Sequence, residues 1–214
     1  IVATYSEPVH YKENGQWKEI NNNLELTSDV RSTSGKAMYT SKSGTMDVRI
    51  PQSFSSGQKV SATNKGHTIN FGVSQGAKVS LNKTATVVDD AKDLSSNVQI
   101  NQALSNQEVM TASTDSVSKA GEITTYNNEV MAVENQTGAI VYEDVFGNAD
   151  LEYVVTTNSI KENIVVYEKQ DEYIYSFDMD FGELVPIVNE DNSIRLVDPK
   201  DTNETIFYIE APYM

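Results

Sequence analysis

Hydrophobic and polar positions alternate along most of this chain. The runs "KAMYTS", "TMDVRIP", "HTINFGVS", "AKVSLN", "EITTYNNEVMAVENQ", "AIVYEDVF", "DLEYVVTT", "KENIVVYE", "EYIYSFDMDF", "SIRLVDP" and "ETIFYIEAP" are rich in Val, Ile, Thr, Tyr and Phe. Successive side chains of an extended strand point to opposite faces, so a period of two predicts strands with one face on a core. In "EYIYSFDMDF", Tyr173, Tyr175, Phe177, Met179 and Phe181 share a face, and the positions between them are mostly polar. Turn-forming residues separate the runs: Asn14-Gly15, Thr137-Gly138, Gly147-Asn148, Asp191-Asn192-Ser193 and Asp198-Pro199. Gly and Asn accept the positive φ of tight turns, and Asp and Asn side chains bond backbone N–H groups two residues on. Roughly a dozen short strands predict an all-β fold, an antiparallel β-sandwich that is either large or in two parts.

One stretch interrupts the pattern. From Asp89 to Lys119 there is no aromatic residue, and Ser, Asn, Gln, Thr and Asp are plentiful. A polar excursion is expected at 89–119, a loop or linker with a short helix as the alternative for "DLSSNVQINQALSNQEVM". It separates N-terminal strands (1–88) from C-terminal strands (120–214), read as halves of one sandwich module spanning 1–214. The chain opens on Ile1-Val2 without a leader and closes on Met214 without a polar tail. The expectation is a piece of a longer polypeptide, any signal peptide lying upstream.

Composition narrows the function classes. A net charge of −15 repels phosphate backbones and anionic lipid, so no nucleic-acid partner is expected. No apolar run approaches the roughly 18 residues of a membrane span, so none is expected. With no cysteine, disulfides, thiolate nucleophiles and Cys-ligated zinc drop out together. Many exported Gram-positive proteins share that avoidance.

Candidate chemistry is sparse. His10 and His67 are far apart in sequence and lack metal-ligand spacing. "DVFGNADLE" (Asp144, Asp150, Glu152) and "NEDNSIRLVD" (Glu190, Asp191, Asp198) offer oxygens for calcium, without the alternation of an EF-hand loop. Turn bonding is the other reading of the same acids. Calcium is the one cofactor kept in view. Glycosidase chemistry would need two inward carboxylates at a defined separation, which sequence does not show. Lys161, if turned inward, needs a partner, and Asp150 is the nearest candidate, as a buried ion pair or as neighbour in an intramolecular isopeptide crosslink. No nucleophile elbow, phosphate loop or dinucleotide fingerprint is expected, and "FGVSQG" reads as a strand end. No catalytic residue is assigned, and no enzyme is expected.

The stretch "PVHYKENGQWKEINNNLE" (8–25) reads as a hairpin turning at Asn14-Gly15, with Trp17 opposite Tyr11 as a sheet anchor. The competing reading makes Trp17 a sugar platform, joined by Tyr126, Tyr142 and Tyr173, with Tyr39 as a further aromatic. That would make the chain a carbohydrate-binding sandwich or the accessory domain of a polysaccharide-acting enzyme.

Three motifs point elsewhere. "EPVHYKENGQWKEINNNLE", "AIVYEDVFGNADLEYVVTTNSIKENIVVYE" and "DNSIRLVDPKDTNETIFYIEAPYM" occur in that order. Together they resemble the non-repetitive N-terminal region of large bacterial wall-associated proteins of the Rhs (YD-repeat) class. Asn21, Ala149 and Val166 depart from the usual Asp, Thr and Leu. The resemblance implies a non-catalytic module of a secreted or wall-associated polypeptide, upstream of YD repeats and a C-terminal toxin. It implies cell-wall polymer, other domains of the same polypeptide or surface proteins as partners.

Overall fold

The computed structural model describes residues 8–27, 37–76, 78–88 and 137–213. The 89–119 excursion, the run "EITTYNNEVMAVENQ" and Tyr126 lie outside them. The described strands are β1 (His10–Glu13), β2 (Gln16–Glu19), β3 (Asn21–Thr27), β4 (Met38–Ser43), β5 (Asp47–Pro51), β6 (Val60–Asn64), β7 (His67–Val73) and β8 (Thr86–Val88). They continue with β9 (Gly138–Tyr142), β10 (Ala149–Val155), β11 (Ile160–Val166), β12 (Phe177–Asp180), β13 (Val185–Val188), β14 (Ile194–Asp198) and β15 (Asp201–Ile209). A single 3-10 turn at Ser55–Gly57 is the one helical element among the described residues. The protein is all-β, and its described strand pairs are antiparallel.

Four sheets form. A six-stranded sheet runs β12-β7-β6-β5-β4-β3, a four-stranded sheet β11-β10-β9-β8 and a three-stranded sheet β13-β14-β15, while β1 and β2 pair by themselves. In the large sheet, cross-strand rows sort cleanly by face. Val48, Ala62 and Ile69 form one row, and Val60, Phe71 and Met179 another. On the opposite face Asp47, Thr63 and Thr68 align, as do Arg49, Ser61, Asn70 and Asp180. The apolar face packs against Ile140, Tyr142, Leu151, Tyr153 and Val155 of β9 and β10, giving the main sandwich core. Ala62 and Ile69 of the same face meet Leu184, Leu196 and Ile206 around the three-stranded sheet. Met46, Phe71 and Ile160 touch both clusters, so the two cores are continuous. The large sheet is thus covered by two smaller ones. Residues from both sides of the 89–119 stretch share sheets: β8 pairs with β9, and β12 pairs with β7.

The turns follow their residues. Asn14 (φ 50°) with Gly15 (φ 83°), and Lys65 (φ 49°) with Gly66 (φ 83°), take the two successive positive φ values that match strand twist in tight hairpins. The β6–β7 turn leans on the three-stranded sheet, where Asn64 Nδ2 donates to Ile206 O at 3.0 Å and Lys65 pairs with Glu204 at 2.7 Å. Gly147 closes its turn by donating to Asp144 O at 3.1 Å. Thr137-Gly138 is different: it is no turn, for Gly138 opens β9 as a buried residue. A Cβ there would stand 2.0 Å from Asn22 O of β3, so glycine serves close packing of two sheets.

Candidate functional site

Trp17 stands on the β1–β2 hairpin, 71% exposed. It faces Lys12, whose Nζ lies 5.9 Å from the ring centroid, whereas Tyr11 faces Lys18. The expectation of Trp17 as a sheet anchor packed on Tyr11 is therefore corrected. The buried anchor is Ile20, at 1% exposure, whose N–H donates to Val9 O at 2.9 Å. Ser43 Oγ and Thr157 Oγ1 tie the hairpin base by donating to Glu19 O and Pro8 O.

Among the described residues, Tyr142 does not join an aromatic platform. Tyr142 is fully buried, its ring 4.8 Å from Phe54 and its hydroxyl donating to Pro51 O. Burial pushes its phenol well above the ordinary range. Tyr39 is partly buried, its hydroxyl donating to Ala85 O at 3.5 Å. Tyr173 accepts the Gln170 N–H at 2.9 Å and closes a local turn. A strand side chain is exposed or buried according to which sheet covers it, and alternation alone does not name that sheet.

Of the acids chosen as calcium ligands, Asp150, Asp191 and Asp198 are engaged by their own turns. Asp150 Oδ1 accepts the Asp144 N–H at 2.7 Å, and Oδ2 accepts the Tyr167 hydroxyl. Burial, then the Asp150 carboxylate, push the Tyr167 phenol up. Asp144 has φ 52° and lies 3.7 Å from Lys83. Asp191 Oδ1 accepts both Ser193 Oγ (2.6 Å) and Ser193 N–H (2.9 Å), bonds that hold its carboxyl below the usual range. Glu190 is exposed. Asp198 accepts Lys200 N–H at 2.8 Å and faces His67 at 3.6 Å. Among the described residues no three His, Cys, Asp or Glu groups converge as for a metal.

Lys161 and Asp150 are also kept apart. Lys161 is exposed and faces Val154 across β10–β11, while Asp150 faces Val165 four pairs away. The inward lysine and its ion pair with Asp150 are corrected: the two side chains share a sheet face, but Lys161 is exposed and stands four pairs along the ladder from Asp150. Its neighbour Glu162 faces Tyr153, whose buried hydroxyl lies beside the carboxyl. Glu162 is exposed by area, yet desolvation along this contact raises its carboxyl to about 7.

A cleft that sequence reasoning passed over lies between 74–76 with 78–79, Phe146 with Asn148, and the 170–176 stretch. Its volume is about 370 Å³. Ser74, at its wall, belongs to Gly72-Val73-Ser74-Gln75-Gly76, which spells the G-x-S-x-G pattern of a nucleophile elbow. The surroundings do not match that chemistry. The serine follows β7 with no helix after it, and its Oγ donates to Asp178 Oδ1 at 2.7 Å. His67 is at the far end of β7, about 20 Å away at the rise of a strand. "FGVSQG" is a strand end, as its residues suggested.

No protein-family model, no curated protein and no solved structure matches this chain. Among the described residues no helix is long and apolar enough to cross a membrane.

Proposed function

We propose that the chain is a non-catalytic structural module of a large secreted or wall-associated bacterial protein of the Rhs, YD-repeat kind. One observation carries this reading: the side chains with the most chemical potential are engaged in building the fold. Asp150 fastens the 144–150 turn to Tyr167, Asp191 fastens the β13–β14 turn, and His67 and Lys65 meet Asp198 and Glu204 between sheets. The three ordered motifs supply the family, and the charge of −15 suits contacts with other protein domains better than with anionic wall polymers.

The module's work is then mechanical spacing and packing against the rest of its polypeptide. An antiserum raised to the purified chain tests this on fractionated cells of the source organism. Wall or medium signal on a polypeptide far larger than 23.7 kDa supports it. A cytoplasmic species of about that mass would overturn it.

A further inference from the structure

The β1–β2 hairpin stands apart from the rest of the fold. Its two strands pair only with each other, and apart from the half-buried Tyr11 every residue from His10 to Glu19 is exposed. The bonds that hold it lie at its base: Ile20 N–H to Val9 O, Ser43 Oγ to Glu19 O and Thr157 Oγ1 to Pro8 O. Towards the tip the described contacts are internal, with Lys18 paired to Glu13 and Lys12 over the Trp17 ring. A two-stranded hairpin with no sheet to lean on is marginal in water. Segments with few buried contacts and solvent-exposed backbone bonds open at low cost while the body stays folded. The tip of this hairpin meets both conditions.

The residues at that tip carry a latent reaction. Asn14 and Gly15 are both exposed, at φ 50° and 83°. An ideal Cβ on Gly15 would meet nothing within 4 Å, so the turn is open to solvent on that side. Among the described residues no hydrogen bond holds the Asn14 side chain or the Gly15 N–H. A peptide nitrogen that follows an asparagine can close a five-membered ring on the side-chain amide, and glycine hinders it least because it has no β-carbon. Gly15 N gives its proton to solvent hydroxide and attacks Asn14 Cγ. The Cγ–Nδ2 bond breaks, and the nitrogen leaves as ammonia with a proton returned from water. The resulting succinimide then takes up one water. Opening at Cγ gives an aspartate on the original main chain; opening at the α-carbonyl gives an isoaspartate, whose main chain runs through Cβ and Cγ. Nothing is oxidised or reduced. Asn192-Ser193 makes the contrast. It also turns at positive φ (66°), but Ser193 is buried and its N–H is bonded to Asp191 Oδ1 at 2.9 Å. That nitrogen is held back from attack.

We propose that Asn14-Gly15 is a self-modifying site, which converts to isoaspartate and aspartate as the protein ages and so remodels the hairpin that presents Trp17. The extra main-chain carbon of an isoaspartate does not fit a two-residue turn, and the pairings of Lys12 with Trp17 and Tyr11 with Lys18 lose their register. The site stands on the hairpin alone, whichever polypeptide carries the module. Freshly purified protein carries neither product. Peptide mapping by mass spectrometry during storage in warm, mildly alkaline buffer tests the proposal, with the full chain kept folded and, in parallel, unfolded in denaturant. In the fold, Asn14 is expected to convert first among the described asparagines, with isoaspartate in excess, while Asn192 keeps its amide. Its rate there is expected to fall within about tenfold of the rate in the unfolded chain, because the hairpin opens at low cost. Gly15→Ala is expected to slow the conversion about tenfold or more, since a β-carbon then crowds the attacking nitrogen. Trypsin is expected to cut after Lys12 and Lys18 sooner in aged protein than in fresh, and equally fast in aged and fresh Asn14→Gln. An Asn14 that survives in the fold after the unfolded chain has lost it would overturn the proposal. So would equal rates of conversion in the parent and Gly15→Ala.

Discussion

Gly138→Ala adds a single methyl group at the most crowded of the described glycines. An ideal Cβ on Gly138 would lie 2.0 Å from Asn22 O, 3.0 Å from Asn22 C and 3.0 Å from Leu24 Cγ. The obstruction is the main chain of β3, which cannot rotate aside as a side chain can. β9 and β3 must separate by about 1 Å or more to restore van der Waals distance. Overpacking of a filled core costs about 1–3 kcal/mol, and a backbone obstruction belongs at the upper end. Loss of glycine's freedom in the unfolded chain gives back about 0.4–1 kcal/mol. The net expectation is about 2 kcal/mol of destabilisation, or a fall in Tm of about 4–8 °C for a chain of this length. Far-UV circular dichroism is the suitable probe, since the only Trp is on the surface and reports poorly on the core. Gly44→Ala is the internal control: its Cβ would meet Asn22 Oδ1 at an ordinary 3.7 Å, so its Tm is expected to move by no more than about 2 °C. If both variants melt together with the parent, the close approach of β9 to β3 is wrong.

Four further outcomes follow from the site geometry. Glu162 titrates near 7 in the fold against 4.5 unfolded, so the folded state holds its proton over that window and stability falls as pH rises through it. Discounted for the residue's exposure, the loss is about 1 kcal/mol between pH 5 and 8. Urea titrations at both pH values should show it in the parent and not in Glu162→Gln; equal pH dependence in the two proteins would refute the contact with Tyr153. Asp150→Ala strands the Asp144 N–H and the Tyr167 hydroxyl, and a loss of about 2–3 kcal/mol in urea unfolding is expected, with Asp150→Asn milder. Trp17→Ala is expected to change stability by less than about 0.5 kcal/mol, while acrylamide quenches the parent's Trp fluorescence freely; a protected indole would contradict the exposed hairpin. Intact-mass measurement is expected to return the unmodified chain, since Lys161 lies four residue pairs along the ladder from Asp150, and a loss of ammonia or water would contradict that.

Strand existence was legible where alternation meets a filled core. In "DLEYVVTT", Leu151, Tyr153 and Val155 point inward as the period demands. The same strand also buries Asp150 and Glu152, because β10 sits between β9 and β11 and is covered on both faces, a coverage no local pattern encodes. "EYIYSFDMDF" alternates over its whole length, yet only Phe177–Asp180 is strand. Pairing there ends at Val73 opposite Phe177, and Tyr173 and Tyr175 turn to Gln170 and Phe146 instead. "AKVSLN" alternates too, but Val79 N–H bonds Gly76 O and Lys83 N–H bonds Ser80 O, so the segment coils into turns. The candidate site was less legible still. Aromatic and acidic residues announced themselves by type, whereas the cleft depends on three segments brought together by pairings across more than 60 residues. Gln170, an ordinary amide in sequence, carries no mark until its neighbours are placed.

The sharing of strands between the N-terminal and C-terminal parts has a practical corollary for anyone cutting this protein. β8 completes a sheet built mostly from the second part, and β12 completes one built mostly from the first. Neither 1–88 nor 137–214 is a self-sufficient fragment, since each alone would present a raw strand edge to solvent. Any cut between β8 and β9 therefore divides both sheets at once.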